Sequence, residues 1–279
     1  MITYKRYPKT EDSIVQRIKQ YSEMSLQHFT EAEAYRFILG CIDLTTLEGS
    51  DNKQKINELC HTAINFKDEV RHIPSTAAVC VYPPFVAQAK QLLQGTGIQV
   101  ASVAGAFPAG QSPIEVKIAE VSYAVDAGAD EIDMVISRGK FLEGNYQEVA
   151  DEIKAIKGAC GQAHLKVILE TGELKTADNI YAASMLAMEA GADFIKTSTG
   201  KISVNATPES FLVMLDAISD YYQETGKMTG MKPAGGISDA KTSILYIKIL
   251  ENVLGDKWLN KQYFRIGASR LAKKIQEKI

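Results

Sequence analysis

Cysteine, histidine and tryptophan are scarce in this chain, and long apolar runs are missing altogether. Its 279 residues include four cysteines, four histidines and one tryptophan. Cys41, Cys60, Cys80 and Cys160 stand far apart and form no C-x-x-C pair, which argues against a zinc site and a disulfide framework. Cys41 and Cys80 lie inside apolar, strand-like runs, where a free thiol usually acts as a small hydrophobe. A reduced, cytoplasmic protein with no metal is the expectation. No apolar stretch approaches the ~20 residues of a membrane-spanning helix. Residues 1–8 also lack the apolar centre of a secretory signal, so no membrane partner is expected. Basic residues are not in surplus either: the formal net charge is -3, which argues against a nucleic-acid partner held on a basic face. With 46% hydrophobic residues, 23% charged residues and only 8 prolines, the composition is that of an ordinary soluble globular protein.

What is present is a rhythm. Residues 11–39 are charged and amphipathic, with Ile14, Ile18 and Tyr21, then Phe29, Tyr35, Phe37 and Ile38, spaced for one or two helices laid on a larger body. From Leu39 onward the chain alternates an apolar run, Gly/Pro/Ser/Thr punctuation and an amphipathic segment. Strand-like runs fall at 39–44, 77–82, 98–103, 131–136, 165–170, 192–196, 230–233 and 264–267. Helix-period segments follow near 53–65, 84–94, 112–127, 145–160, 176–190, 207–222, 239–254 and 269–278. Ser112-Pro113, Thr176, Thr207-Pro208 and Ser238 read as helix starts. Eight β-then-α units over some 240 residues match a (β/α)8 TIM barrel. A doubly wound open sheet would be favoured by a Gly-x-Gly-x-x-Gly after the first strand, but the turn reads Asp43-Leu44-Thr45-Thr46-Leu47. The expected organisation is an N-terminal helical extension, residues 1–37, packed on a barrel of residues 38–279.

One strand stands out. Ala192-Asp193-Phe194-Ile195-Lys196-Thr197-Ser198-Thr199-Gly200-Lys201 places a lysine inside an apolar run that opens into a small-residue loop. Strands covered on both faces are apolar throughout, and a buried unpaired ammonium is costly. Either the lysine tip escapes to solvent, or it is a desolvated amine of lowered pKa that can form a Schiff base. Barrel enzymes keep their chemistry at the C-terminal strand ends, and Asp43, Asp133, Lys196 and Lys232 all fall there. Such a set is either a structural salt-bridge cluster or a catalytic one. Lys166 begins its strand and is expected low in the barrel, away from the mouth. The loops after the last three strands, Ser198–Lys201, Pro233–Ser238 and Gly267–Ser269, combine glycines with hydroxyls and Lys201, which suits a phosphorylated substrate.

The segments 192–201 and Val204-Asn205-Ala206-Thr207-Pro208-Glu209-Ser210 resemble the signature of the deoxyribose-phosphate aldolases. So do Cys41-Ile42-Asp43-Leu44-Thr45, Gly128-Ala129-Asp130-Glu131-Ile132-Asp133, Glu170-Thr171-Gly172-Glu173-Leu174 and Lys232-Pro233-Ala234-Gly235-Gly236, in the family's order. The resemblance implies a Schiff-base aldolase that needs no cofactor. It would reversibly cleave 2-deoxy-D-ribose 5-phosphate to D-glyceraldehyde 3-phosphate and acetaldehyde. Lys196 matches the imine-forming lysine, Lys232 the lysine that keeps its pKa low, and Asp133 the acid/base carboxylate acting through a water. Asp43, Thr45, Cys80, Thr199, Gly200, Lys201, Gly235, Gly236, Gly267 and Ser269 are the substrate-binding candidates. The alternatives are another Schiff-base barrel aldolase, of transaldolase or keto-acid type, and a barrel that binds a sugar phosphate without catalysis. A homodimer is the expected assembly. Arg270 stands where close bacterial relatives often carry a second serine, and the C-terminus lacks the tyrosine-ended tail that some members fold over the pocket.

Overall fold

The apolar runs become strands because both of their faces are covered, one by helices and the other by the opposite wall of a closed sheet. The computed structural model describes residues 6–279. The strands are β1 (Ile42–Thr45), β2 (Ala78–Val81), β3 (Gln99–Val103), β4 (Glu131–Val135), β5 (His164–Ile168), β6 (Phe194–Lys196), β7 (Gly230–Lys232) and β8 (Ile266–Ala268). All neighbouring pairs are parallel, in the order β7-β6-β5-β4-β3-β2-β1-β8. Bridges between Met231 and Phe264 and between Ala234 and Gly267 join the two remaining edges. The Arg265 N–H donates to the Met231 carbonyl at 3.0 Å and the Gly267 N–H to the Pro233 carbonyl at 2.9 Å. The sheet closes into a (β/α)8 barrel.

Helices start where short polar side chains can take the free N–H groups of the first turn. Thr176 caps Ala177–Glu189, and Thr207 forms a capping box with Ser210 ahead of Pro208–Thr225. Two expected starts shift by a residue. Asp239, not Ser238, caps Ala240–Leu254, because its carboxylate reaches the Thr242 N–H. The helix Ile114–Asp126 begins after Pro113 with no side-chain cap from Ser112. Two short helices were not foreseen, Arg138–Leu142 after β4 and Thr171–Leu174 after β5. Each spans about one turn, too few residues for a periodic signal.

The preface forms two helices, α1 (Glu11–Glu23) and α2 (Glu31–Gly40). Leu39 and Gly40, read from sequence as the start of a strand, end α2 instead. Thr30 and Glu33 start that helix with a capping box, and the apolar run 38–44 is divided between helix end and strand. Helix α1 lies against Pro208–Thr225 and Ala240–Leu254, and α2 against Ala240–Leu254 and Leu271–Gln276. Inside the barrel the lining is divided. Cys80, Ala101 and Val103 form a small apolar wall with Leu47, while β1, β4 to β7 and Arg265 just ahead of β8 supply buried charged groups.

Candidate active site

Parallel register sets the heights of the inward side chains. Lys196 stands directly opposite Lys232 on the neighbouring strand, and Asp133 opposite Lys166. Lys166 aligns with Phe194, two residues before Lys196, so it sits one layer lower, roughly 6–7 Å along the strands. That is the height of Asp133, and Lys166 Nζ lies 3.2 Å from Asp133 Oδ1. The other carboxylate oxygen, Asp133 Oδ2, accepts from both Lys196 Nζ and Lys232 Nζ at 2.7 Å. Lys232 Nζ is also 2.5 Å from Asp43 Oδ2, and Arg265 donates to Asp43 Oδ1 at 2.7 Å. Below them Glu131 accepts from Lys166 and, at 2.8 Å, from Arg265 Nη2. None of these seven residues is more than 5% exposed.

Charge bookkeeping points at one group. The cluster holds three carboxylates, Asp43, Glu131 and Asp133, and four basic groups, Lys166, Lys196, Lys232 and Arg265. An uncompensated charge at this depth is costly, and the set is neutral when one basic group is a free amine. Lys196 is the lysine whose surroundings push it toward that form. Burial pushes its pKa down, and Lys232 adds to this against the opposing pull of Asp133. Lys232 goes the other way: burial alone would lower it, but Asp133 and Asp43 overcome this and hold it above the usual lysine range. Burial alone would raise Asp133, yet Lys166, Lys196 and Lys232 hold it well below the usual carboxylate range. The sequence reading offers both causes, desolvation of Lys196 itself and the charge of Lys232. Desolvation is the larger cause, because the amine is 3% exposed and Lys232 is already paired with two carboxylates.

Above the cluster opens a cleft of about 600 Å³. Thr45, Lys196, Thr199, Gly200, Lys201, Gly235, Gly236, Gly267 and Ser269 line it, so nine of the sequence-derived candidates share one cavity. Asp43, Cys80, Asp133 and Lys232 are fully buried beneath its floor. Burial, with Asp133 nearby, pushes the Cys80 thiol up to about 11, so this residue is a neutral piece of the apolar wall. Lys201 bends across the cleft to Glu48 at 3.1 Å.

Some residues of the site were not singled out in advance. Glu170, in the left-handed region at φ 58°, accepts from the Thr199 N–H at 3.1 Å and from its hydroxyl, and Arg138 holds the same carboxylate at 3.1 Å. This fixes the loop that follows Lys196. In the sequence, segment 170–174 is part of the family pattern, with no role attached to Glu170. Glu131 and Arg265, under Asp133 and Asp43, were visible as charges inside apolar runs, the same signal that exposed Lys196. Lys55 and Lys273 join Arg270, noted in the sequence, in lining the cleft. Helical spacing alone does not separate them from ordinary solvated residues.

The sequence profile of the DeoC/LacD aldolase family matches residues 37–245. The chain is 48% identical over 251 residues to the human deoxyribose-phosphate aldolase, covering 85% of this chain and 78% of that one. Against the mouse deoxyribose-phosphate aldolase it is 47% identical, with the same coverage of both chains. A crystal structure of a candidate deoxyribose-phosphate aldolase from Coccidioides immitis superposes with a TM-score of 0.74 at 31% identity. That superposition covers 98% of this chain and 99% of the other.

Proposed function

We propose that this chain, which belongs to the DeoC/LacD family of aldolases, reversibly cleaves 2-deoxy-D-ribose 5-phosphate to D-glyceraldehyde 3-phosphate and acetaldehyde, with Lys196 as the imine-forming residue. The observation that carries the residue assignment is the sharing of Asp133 Oδ2 by two lysines, only one of which is pushed toward the free amine.

The chemistry follows from that pairing. The neutral Lys196 amine adds to the aldehyde carbon of the open-chain sugar, and loss of water leaves an iminium. The iminium accepts the electron pair of the C2–C3 bond when the C3 hydroxyl gives up its proton, which releases D-glyceraldehyde 3-phosphate and leaves an enamine. Protonation of the enamine carbon restores the iminium, and water hydrolyses it to acetaldehyde and free Lys196. Asp133, 2.7 Å from Lys196 Nζ, is the nearest carboxylate to these atoms and exchanges the protons through a water. Lys232, held as an ammonium by Asp133 and Asp43, can return a proton to that carboxylate and places positive charge beside the reacting nitrogen. Both the substrate and one product are phosphorylated, and the cleft loops of glycine, hydroxyl and cationic residues suit that group.

Cytoplasmic location and homodimeric assembly belong to the same reading. The four cysteines are free and buried, which suits a reducing compartment, and light scattering would read the assembly. The mechanism is tested by borohydride reduction in the presence of acetaldehyde, followed by peptide mapping. An ethyl group on the peptide containing Lys196 is the expected result. Label on Lys166 or Lys232 instead would displace the assignment, and analysis of the aldehydes released from the sugar distinguishes this donor from the larger ones of transaldolases and keto-acid aldolases.

A further inference from the structure

We propose that Glu170, a fully buried carboxylate beside the cleft, is a positioning residue that makes the Thr199 hydroxyl an acceptor only. The site thereby selects acceptor aldehydes that carry a hydroxyl next to the carbonyl, taking the aldolase reading above as given. Three donors converge on Glu170. Oε1 accepts from the Thr199 N–H at 3.1 Å, and Oε2 accepts from the Thr199 hydroxyl and from Arg138 Nη1, the latter at 3.1 Å. A carboxylate has no hydrogen to return, so the hydrogen between Glu170 and the hydroxyl is the one Thr199 supplies. It points to Glu170 and not to the cleft. Of the two lone pairs left on Thr199 Oγ1, the Lys201 N–H takes one at 3.1 Å. Thr199 lines the cleft beside Lys196, and the remaining lone pair is all that its hydroxyl can offer a substrate.

The arrangement is held from several sides. Arg138 gives Nε to Glu173 at 3.0 Å, Nη1 to Glu170 and Nη2 to the Ala109 carbonyl at 3.0 Å. It thus joins the loops after β3, β4 and β5 and, through Glu170, the loop after β6. Glu170 itself has φ 58° and ψ 62°, a region that residues with a side chain seldom adopt and that persists only where the surroundings enforce it. The open-chain sugar phosphate has free hydroxyls at C3 and C4. The C3 hydroxyl gives its proton up toward Asp133, so the hydroxyl left to donate to Thr199 is that of C4. After cleavage it is the hydroxyl next to the carbonyl of D-glyceraldehyde 3-phosphate. A hydrogen atom in its place leaves the last lone pair of Thr199 unpaired, and a group that only accepts sets lone pair against lone pair. Both are disfavoured in an enclosed site.

The test joins acetaldehyde to three acceptors and compares their kcat/KM. They are D-glyceraldehyde 3-phosphate, 3-phosphooxypropanal, which lacks the hydroxyl, and the 2-fluoro derivative of the latter, whose fluorine accepts but cannot donate. Ratios to 3-phosphooxypropanal are compared between variants, so the intrinsic reactivity of each aldehyde cancels. A neutral hydrogen bond corresponds to roughly a twofold to tenfold change. Thr199→Val should lower the hydroxy-to-deoxy ratio by about that factor, and Thr199→Ser, which keeps the oxygen, should hold it. Glu170→Met frees the Thr199 hydrogen to turn to the cleft, so the fluoro-to-deoxy ratio should rise about twofold or more over wild type. A loop that has merely loosened lowers all three rates and leaves that ratio alone. Thermal melts report folding. If Glu170→Met does not fold, the same ratio is read in Glu170→Asp, whose carboxylate stops a methylene short of the Thr199 hydroxyl. An unchanged fluoro-to-deoxy ratio in the folded Glu170 variant, or an unchanged hydroxy-to-deoxy ratio in Thr199→Val, overturns the proposal while the aldolase reading stands. Wild-type protein that joins acetaldehyde to none of the three overturns both.

Discussion

At the scale of residues, the site turns on one oxygen. Asp133 Oδ2 accepts from Lys196 and Lys232 at equal distance, and the pair is kept unequal by the second carboxylate, Asp43, which only Lys232 reaches. Replacing Lys232 with methionine leaves Asp133 Oδ2 to Lys196 alone and removes a neighbouring positive charge. Both effects favour the Lys196 ammonium, so its pKa should rise. Less free amine is then present at neutral pH, and the acid limb of the pH–rate profile should move alkaline while turnover at pH 7 falls. A weakened variant with an unmoved acid limb would show that Lys232 does not set the amine. Asp133→Asn keeps the shape and removes the acid/base group. Turnover should drop by ~10²–10⁴-fold, with borohydride trapping of acetaldehyde reduced much less. Equal loss of both would mean that the carboxylate mainly orders the lysines. Much of this was legible in sequence, because a charge in an apolar, strand-like run is conspicuous wherever it stands. What sequence left out was the layering. Lys166 reads as remote by its place along β5, but the register sets it directly opposite Asp133, and its ammonium reaches the far oxygen of that carboxylate.

At the scale of elements, the loops after β5 and β6 are fitted to each other. Gly172, in the short helix Thr171–Leu174, lies so close to the 200–206 loop that a Cβ there would overlap the Val204 carbonyl oxygen. That obstacle is backbone and cannot rotate away. Gly172→Ala should displace the loop that carries Lys201 and Asn205, raising KM for the sugar phosphate and lowering stability by ~1–3 kcal/mol. Gly230→Ala is the contrast. Its Cβ would overlap the Phe194 ring, which lies 5.9 Å from both Lys166 Nζ and Arg265 Cζ in the lower barrel. The cost should appear in the melting temperature, with KM little changed. Kinetics and melts on the two variants check the pair, and matching KM values would sink the distinction. No periodicity reveals such an approach. The alternating runs and caps made the eight units legible, since burial on both faces and satisfied helix ends leave local traces. The helices after β4 and β5 left none, and the division of residues 38–44 between α2 and β1 was hidden by a run apolar enough for either.

At the scale of the whole molecule, the N-terminal segment clasps the outside of the barrel at one charged point. Tyr7, Lys9 and Arg17 converge on Asp216 in the helix Pro208–Thr225, at 2.5, 2.8 and 2.6 Å. The Tyr7 N–H also donates to Asp178 at 2.8 Å, which joins the segment to the neighbouring helix Ala177–Glu189. Sequence periodicity suggested one or two helices in this segment, but it gave no means of finding a partner some 200 residues away. Burial would push the Asp216 carboxyl up, yet Arg17, Lys9 and Tyr7 hold it below its ordinary value. A carboxylate whose pKa is depressed in the folded state stabilises the fold above its unfolded value of about 4, and that contribution is lost as the pH falls through the folded value. Asp216→Asn should thus lower the melting temperature at pH 7 by several degrees, at roughly 2–4 °C per kcal/mol for a chain near this size. The gap to wild type should narrow as the pH is taken below about 4, because the wild-type carboxylate then protonates and becomes equivalent to the amide. Arg17→Met, which removes a partner seen at 20% side-chain exposure, should cost less at pH 7. Turnover at 25 °C should stay near wild type in both variants, since the contacts lie on the outer helices and none reaches the Asp133 cluster. Melts from pH 3 to pH 7 decide it. A gap that stays constant across that range would mean that the clasp holds by packing, with Tyr7 against Tyr181 at 5.6 Å, and that its charges are incidental.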